Sequence, residues 1–191
     1  MRIIAGEHKG RRLLGPVDKA TTRPITDRVK TALFDRLGAA GRLDDAVVLD
    51  VFSGTGSMGI ECLSRGADHV TFVERDRVAL DRLQKNLQAI DAAGRARVLG
   101  SDALAAGMLN QLRRSDHTLI FVDPPYRMIT DAGPARRVWR QMQRLADVAA
   151  AGAWLVLRTD KHAQTPQLEG WQGPRCHEYG SMIVWVYERE R

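Results

Sequence analysis

From position 46 onward, short apolar runs alternate with segments of helical periodicity, and this alternation restricts the possible folds more than any other feature. Five runs are predicted strands: AVVLDVF (46–52), HVTFVE (69–74), ARVLGSD (96–102), TLIFVD (118–123) and AWLVLRT (153–159). Between several of them, apolar residues recur three or four positions apart, as on one face of a helix. Near-continuous apolar strands that alternate with helices indicate a mostly parallel sheet covered on both faces. The chain is therefore predicted to have an α/β fold.

The remaining segments of this body are assigned from the same patterns. Helices are predicted over residues 57–66 and 77–90, with an ambiguous helix over 103–114 and a long one over 133–152. The tail has an aromatic-rich, alternating stretch after Gly180 and no helical pattern. It is predicted to be a strand that pairs antiparallel with its neighbour.

The net charge is concentrated at one end of the chain. Residues 1–42 contain ten Lys and Arg against four Asp and Glu, whereas residues 43–191 contain nineteen of each. A basic segment on a neutral body indicates a surface for an anionic partner, either nucleic acid or an acidic membrane, although an ordinary solvated surface has the same composition. We predict a boundary near residues 42–45, between a basic N-terminal extension (1–42) and an α/β domain (43–191).

The start of the chain is assigned from its local residue types. Residues 1–16 are predicted to form a hairpin or an extended arm, and a helix is predicted to begin near Asp27 with Thr26 as its cap.

The N-terminal segment lacks the apolar core of a signal peptide, and no apolar run approaches the roughly 18–20 residues that span a bilayer. The two cysteines have no CxxC spacing and the five histidines no metal-binding spacing. These features predict a cytoplasmic protein without a disulfide framework or a metal site.

A glycine-rich motif follows the first predicted strand. Residues 54–59, GTGSMG, match GxGxxG between a strand and a helix, where free N–H groups and the helix dipole favour a polar or anionic ligand. The match alone is weak, since such turns are common. Asp50, at the end of the strand, would repel a pyrophosphate and attract a cation. S-adenosylmethionine carries an ammonium, a carboxylate and a sulfonium, so it suits this combination.

Two further acids end the next two predicted strands. Glu74 is placed to accept hydrogen bonds from ribose hydroxyls, and Asp102 from an adenine amino group. Because the carboxyl ends of parallel strands meet at one sheet edge, the three acids are expected to lie together. Each acid alone could instead be a solvated cap or turn residue. A nicotinamide-dependent dehydrogenase is the competing interpretation, since Glu74 would serve its ribose equally well, but Asp50 argues against it.

The fourth predicted strand ends in DPPY, residues 123–126. Asp123 can accept a hydrogen bond from an amino group, and the carbonyl of Pro124 can accept a second one because Pro125 keeps the preceding residue extended. Tyr126 can stack on a nucleic acid base that has left its duplex or loop. The motif is predicted to place an exocyclic amine in line with a methyl donor, without a covalent intermediate. The alternative is a proline-rich turn that ends a strand.

Together these motifs resemble the class I S-adenosylmethionine-dependent methyltransferases, and most closely the RsmD family of bacterial 16S ribosomal RNA guanine-N2 methyltransferases. The resemblance covers nearly the whole chain, with MRIIAGEHKGRRL, RPITDRVKTALFDRL, LDVFSGTGSMGIECLSRGA, VTFVERD, LQKNL and FVDPPY in family order. DPPY by itself is shared with DNA adenine-N6 and other amino-methyltransferases. The combination of DPPY with RPITDRVKTALF is therefore a more specific sign of the RsmD family than DPPY alone.

The resemblance implies a Rossmann-like fold with a seven-stranded, mostly parallel sheet and an antiparallel C-terminal strand. It also implies methyl transfer from S-adenosylmethionine, leaving S-adenosylhomocysteine, to the N2 amino group of a guanine in 16S rRNA, of the type at guanine 966. The implied substrate is rRNA in an assembling small ribosomal subunit, and the implied enzyme is a monomer. The alternatives are an amino-methyltransferase of DNA adenine or cytosine or of another RNA, and a non-catalytic RNA-binding relative.

The resemblance further assigns individual residues. The guanine would be held by the catalytic residues Asp123, Pro124, Pro125 and Tyr126. The cofactor would contact the first three strand ends and the turns after them, at Asp50, Phe52, Ser53, Gly54, Thr55, Gly56, Glu74, Arg75, Asp102 and Ala103. Beside the active cleft would lie Arg23, Thr26, Asp27 and Arg28. Separately, the charge of the extension predicts that RNA contacts Lys9, Arg11, Arg12, Arg23, Thr26 and Arg28. Residues 127–137 and 160–174 depart from the pattern of the family.

Overall fold

A seven-stranded sheet forms the centre of the molecule. The computed structural model describes residues 1–17, 25–163, 165–180 and 182–191. The strands are β1 (Val47–Val51), β2 (His69–Glu74), β3 (Ala96–Gly100), β4 (His117–Val122), β5 (Ala149–Asp160), β6 (Trp171–Tyr179) and β7 (Met182–Arg189). Their spatial order is β3-β2-β1-β4-β5-β7-β6. In this described sheet β7 pairs antiparallel with both β5 and β6, and the other four pairs are parallel. The predicted α/β fold with an antiparallel C-terminal strand is thus confirmed.

Helices cover both faces of this sheet. They are α1 (Asp27–Ala39), α2 (Ser57–Ser64), α3 (Arg77–Ala89), the short α4 (Arg127–Thr130) and α5 (Ala132–Arg144). Successive strand residues point to opposite faces. Accordingly, Val48 packs in one cluster with residues of α1, α2 and α3, whereas Leu49 packs in a second cluster with residues of α5. The N-terminal hairpin and α5 therefore lie on opposite faces of the sheet.

The first thirteen residues form a hairpin that packs against the α/β body, so the hairpin alternative is the one observed. Arg2 pairs antiparallel with Arg12, and Ile3 and Leu13 are 1% and 6% exposed within the first cluster. The chain then stays on this surface, because the N–H of Leu14 donates to Oδ1 of Asn86 at 2.8 Å. The described part of the basic extension thus shares one hydrophobic core with the sheet.

A buried carboxylate joins the hairpin to α1 and α2. Glu61 of α2 is 0% exposed and accepts hydrogen bonds from the N–H groups of Ile4 and Ala5, at 2.9 and 3.0 Å. Its oxygens also lie 2.9 Å from Nζ of Lys30 and 2.9 Å from Nε of Arg65. Burial opposes ionisation, but the ammonium of Lys30 and these hydrogen bonds outweigh it and lower the pKa of Glu61. Glu61 is therefore the polar centre of this part of the core.

Two helix predictions were wrong. Residues 103–114 contain only the 3-10 turn Leu109–Gln111. Gly107 disfavours a helix in the middle of this segment, and the irregular backbone still buries the side chains of Met108 and Leu109. The long helix predicted over 133–152 ends at Arg144, and residues 149–152 belong to β5. Alanines favour helix, but the pairing of Ala149 with His117 of β4 places this stretch in the sheet.

The length and composition of the described helices indicate whether any of them could cross a membrane. In the ranges that the structure describes, none of them combines the length and the apolar character that crossing a bilayer requires.

Candidate active site

The carboxyl ends of the first four strands open into one cleft of about 580 Å³. It lies beside the point where strand order reverses, between β1 and β4, which is where open α/β sheets bind ligands. The turns after these strands form most of its wall. Residues of α2, α3 and β5 also line it, and the N-terminal segment contributes Met1, Pro16, Val17 and Ile25.

The loop between β1 and α2 has unusual backbone conformations. Phe52, Gly54 and Gly56 have positive φ angles of 63°, 55° and 87°. Such an angle is rare for a bulky residue, and backbone strain of this kind is concentrated at ligand-binding sites. Gly54 lines the cleft, whereas Gly56 faces the core, because a Cβ there would lie 2.5 Å from Cδ1 of Leu83. Gly56 therefore allows α2 and α3 to approach each other and is not part of the cleft wall.

Asp50 presents a buried carboxylate at the floor of this cleft. It is 1% exposed, and its Oδ2 accepts a hydrogen bond from the N–H of Gly59 at 2.9 Å. Burial raises the pKa of Asp50 to about 7, and the carboxylates of Asp123 and Glu74 act in the same direction. The Gly59 hydrogen bond and Lys30 oppose this change. A cation bound beside Asp50 would relieve the cost of its charge.

Glu74 stabilises the loops around it. Its Oε2 accepts from the N–H of Gly54 at 2.9 Å, and its Oε1 accepts from the N–H groups of Arg75 and Asp76, both at 2.8 Å. A carboxylate has about four lone-pair positions, so three backbone donors leave one position for a ligand hydroxyl. Glu74 thus fixes the glycine loop and still faces the cleft.

Asp102 forms the outer rim of the cleft together with Arg75. Its Oδ2 lies 2.8 Å from Nη1 of Arg75, and its Oδ1 accepts from the N–H of Leu104 at 2.9 Å. Arg75 is 63% exposed in its side chain, so this ion pair contributes little stability. Asp102 is consequently free to exchange its arginine partner for a ligand donor at small cost.

On the opposite wall, Asp123 forms a bidentate ion pair with Arg158 of β5. Nε and Nη2 of Arg158 lie 2.8 and 2.7 Å from Oδ1 and Oδ2 of Asp123. Burial alone would lower the pKa of the guanidinium, but Asp123 and Tyr126 raise it above its ordinary value. Both oxygens of Asp123 keep lone pairs that Arg158 does not use. The sequence patterns did not predict Arg158 as a site residue. Its only signal there is a cation within the apolar run AWLVLRT.

The rest of DPPY turns directly into α4. The carbonyls of Pro125 and Tyr126 accept hydrogen bonds from Met128 and Ile129, both at 2.8 Å. Within the described ranges, no N–H or hydroxyl donates to the carbonyl of Pro124. That carbonyl is therefore an available acceptor beside Asp123.

The structure brings most of the predicted site residues together. All four predicted catalytic residues line the cleft, and so do all predicted cofactor-binding residues except Gly56. Those of the predicted RNA-binding residues that the structure describes lie outside its wall. Thr26 caps α1, as predicted, by accepting from the N–H of Val29 at 3.4 Å. Arg23 lies outside the described residues. The exposed members of this set are Lys9, Arg11, Arg12, Thr26 and Arg28.

Across residues 1–17, 25–163, 165–180 and 182–191, no group of three or more His, Cys, Asp or Glu side chains could hold a metal ion.

Comparison with known proteins agrees with this geometry. The family model described as Conserved hypothetical protein 95 matches residues 1–188. The chain belongs to this family. Ribosomal RNA small subunit methyltransferase D of Escherichia coli is 43% identical over 127 residues, which are 66% of this chain and 61% of that protein. A candidate rRNA methyltransferase of Bacillus subtilis is 40% identical over 127 residues, 66% of this chain and 67% of that protein. The resemblance to the RsmD family is thereby confirmed.

Solved structures show the same architecture over the full length. The E. coli candidate methyltransferase yhhF superposes with a TM-score of 0.79 at 33% identity, covering 100% of this chain and 98% of that one. A hypothetical protein of Thermus thermophilus gives a TM-score of 0.77 at 27% identity, covering 100% and 99%. The Rossmann-like fold expected from the motifs is confirmed.

Proposed function

We propose that this protein transfers a methyl group from S-adenosylmethionine to the exocyclic N2 amino group of a guanine in 16S rRNA, during maturation of the small ribosomal subunit. The observation that carries the proposal is the single cleft that contains both the glycine loop with Asp50 and the DPPY turn. The name of the E. coli relative supports an rRNA of the small subunit as the substrate. The proposal includes the target position, so that the enzyme is of the type that methylates guanine 966 of 16S rRNA.

The residues present fit the proposed cofactor. S-adenosylmethionine, when bound, supplies an electrophilic methyl group on its sulfonium. Asp50 would pair with the ammonium, Glu74 would accept from the ribose, and Asp102 would accept from the adenine amino group. Three of the four large apolar side chains found exposed among the described residues line the same cleft, which suits a flat adenine ring. They are Met1, Val17 and Val78.

The DPPY turn would hold the acceptor base. Asp123 and the Pro124 carbonyl offer two acceptors for the two hydrogens of an exocyclic NH₂ group. An amine held by both acceptors has its nitrogen lone pair directed along a fixed line, which lowers the cost of reaching the aligned geometry. Tyr126 would stack on the flipped base, as aromatic side chains do for unpaired bases. Arg158 keeps the Asp123 carboxylate oriented while this happens.

The basic extension would bind the RNA around this base. Lys9, Arg11, Arg12 and Arg28 are exposed, and the charge excess of residues 1–42 suits a phosphate backbone. We therefore retain the division into an RNA-contacting extension (1–42) and a methyltransferase domain (43–191) as part of the proposal. The proposed enzyme acts as a monomer in the cytoplasm.

A labelling experiment tests the proposed substrate. The purified protein is incubated with radiolabelled S-adenosylmethionine and, in parallel, with naked 16S rRNA, with small subunits from a strain that lacks the gene, and with DNA. We expect label in the RNA or the subunits, and mass spectrometry of the nucleosides should identify N2-methylguanine. Label in DNA, or on a different base, would replace this substrate assignment. Absence of label from all three would contradict the enzyme assignment.

The raised pKa of Asp50 predicts a pH dependence of cofactor binding. Because the ammonium needs an ionised Asp50 and that pKa is about 7, affinity for S-adenosylhomocysteine should rise about tenfold between about pH 6 and pH 8. Calorimetric titrations across this range measure the effect. Asp50→Asn should bind much more weakly and lose this pH dependence, since asparagine can still accept from Gly59 but does not ionise.

The same variant gives a separate stability readout. The folded-state pKa of Asp50 lies above its ordinary value of 3.8, so ionisation costs the unliganded protein stability as pH rises from about 4 to 7. Unliganded Asp50→Asn should therefore match the wild type near pH 4 and exceed it near pH 8, by on the order of 4 kcal/mol. Urea denaturation at both pH values checks this; a variant less stable at pH 8 would contradict the buried charge.

A further inference from the structure

Helix α5 carries an uncompensated row of arginines. Residues 132–144 contain four arginines and no acidic residue. Their positions 136, 137, 140 and 144 fall within roughly 100° around the helix axis at 3.6 residues per turn. Arg136, Arg137 and Arg140 are exposed, and Arg144 is half-buried. The four side chains therefore form one basic stripe along the helix.

Most of this stripe has no acidic partner nearby. Among the residues that the structure describes, no ion pair or side-chain hydrogen bond involves the guanidinium groups of Arg136, Arg137 or Arg140. Arg144 differs, because its Nη2 donates to the carbonyl of Ala106 at 3.1 Å. The acids Asp147 and Glu169 line a depression with Arg140 at the far end of the helix. The uncompensated charge is thus greatest at Arg136 and Arg137, in the first turns.

The stripe follows the cleft closely along the chain. Tyr126 is followed by α4, whose first residue Arg127 is exposed and lines the cleft, and α5 begins two residues after α4 ends. Residues 127–144 hold five arginines against one aspartate, a net charge of +4, although residues 43–191 are neutral as a whole. The body of the protein is therefore polarised, with positive charge extending from the acceptor side of the cleft.

The chemistry of the stripe indicates which partner it fits. The apolar side of α5 is buried, since Val138 and Met142 are 1% and 0% exposed, so the helix has no free apolar face to insert into a lipid surface. Arginines spaced along one line suit successive phosphates of a nucleic acid strand. An RNA whose base enters the cleft must continue past its rim, and Arg127 marks the side that leads to α5.

We propose that three arginines of the α5 stripe, Arg136, Arg137 and Arg140, bind phosphates of the substrate RNA next to the target base. The RNA is then contacted on both faces of the sheet, by the N-terminal extension on one side and by α5 on the other. This inference rests on the proposed function for the identity of the RNA, but it makes a separate claim about where that RNA lies.

Paired double variants test this claim. In Arg136→Gln/Arg137→Gln, two charges are removed and helix propensity is nearly unchanged. Arg113→Gln/Arg114→Gln is the matched control, because these two arginines are also adjacent and exposed but lie in the turn before β4, at the amino ends of the strands. Arg11→Gln/Arg12→Gln provides a reference for the N-terminal extension. Affinity for a 16S rRNA transcript is measured for each protein without methyl donor, over a series of salt concentrations.

We expect the α5 variant to bind the transcript roughly tenfold more weakly at low salt, with the slope of log affinity against log salt reduced by about 1–2. The control should stay within about twofold of the wild type. Equal losses in the α5 variant and the control, or no loss in the α5 variant, would overturn the inference. So would a loss that appears only for vesicles of acidic lipid or for an acidic protein.

The two proposals fail in different ways. If the wild type binds the transcript through α5 but methylates nothing, the proposed function fails and the binding surface stands. If the wild type methylates guanine and only the Arg11→Gln/Arg12→Gln variant loses affinity, the proposed function stands and the α5 surface is wrong.

Discussion

Replacing Asp123 with asparagine is expected to reduce methyl transfer by about a thousandfold or more, while affinity for the cofactor changes by less than about threefold. Asparagine has nearly the same shape, but it offers one oxygen acceptor and presents an NH₂ group where the second oxygen was. The guanidinium of Arg158, which is 14% exposed, would lose half of its bidentate partner, and the substrate amine would meet a donor. Single-turnover measurements with saturating cofactor separate the chemical step from binding.

Asp102→Asn is the matched control for this prediction. Asp102 is also a carboxylate on the cleft wall that is paired with an arginine, Arg75. If its role is to contact adenine, this variant should weaken cofactor binding and leave the transfer rate at saturation close to that of the wild type. Turnover of Asp123→Asn similar to the wild type would refute the assignment of DPPY as the acceptor half of the site.

Arg158 determines how this result is interpreted. An Arg158→Lys variant keeps a positive charge near Asp123 but cannot form the planar bidentate pair. If orientation of the carboxylate matters, this variant should lose activity by an intermediate factor although Asp123 is intact. If only charge matters, it should be nearly as active as the wild type.

Four acids of the site could be predicted from the sequence because they depend on one rule. Asp50, Glu74, Asp102 and Asp123 each end or follow a parallel strand, and such strand ends converge at one edge. The rule requires only that the strands be recognised, and their apolar composition makes this possible. The same composition predicted β1 to β5 within a few residues of their observed bounds.

Arg158 could not be predicted in this way. Its neighbour across the ladder is fixed by register, with Leu157 of β5 beside Val122 of β4. The register of two strands separated by more than twenty residues is a tertiary property, decided by packing of the intervening α5. Residues 149–152 show the same limit, since their alanines favour helix locally and pairing with β4 decides otherwise.

Glu61 is a further residue whose importance is visible only in the fold. In SMGIECLS it resembles a surface acid on an otherwise apolar helix. Its partners come from three separate segments, at Ile4 and Ala5, at Lys30 and at Arg65. Only Arg65 is related to Glu61 by a local pattern, the i,i+4 spacing on one helix face, and none connects it with Ile4, Ala5 or Lys30. The sequence therefore gives no sign that the basic extension is joined to the glycine-loop helix through one carboxylate.

Glu61→Gln is expected to lower the free energy of unfolding by about 3–5 kcal/mol, because it leaves the buried ammonium of Lys30 without a counter-charge. Urea denaturation at neutral pH measures this loss. Asp81→Asn is the matched control: Asp81 also forms an i,i+4 ion pair, with Lys85, but both side chains are more than half exposed, so the loss there should be below about 0.5 kcal/mol.

The pH dependence of the Glu61→Gln variant provides the decisive comparison. The folded-state pKa of Glu61 lies below its ordinary value of 4.5, so its charged form contributes stability above that pH and loses this contribution as pH falls through the lower, folded-state pKa. The difference between wild type and variant should therefore shrink in acid. Amide exchange at Ile4 and Ala5 should accelerate more than exchange in β1, since the hairpin loses one of the two oxygens that accept its hydrogen bonds while the sheet keeps its ladder. A loss of stability that is independent of pH, with no selective exchange in the hairpin, would mean that Glu61 acts only through packing.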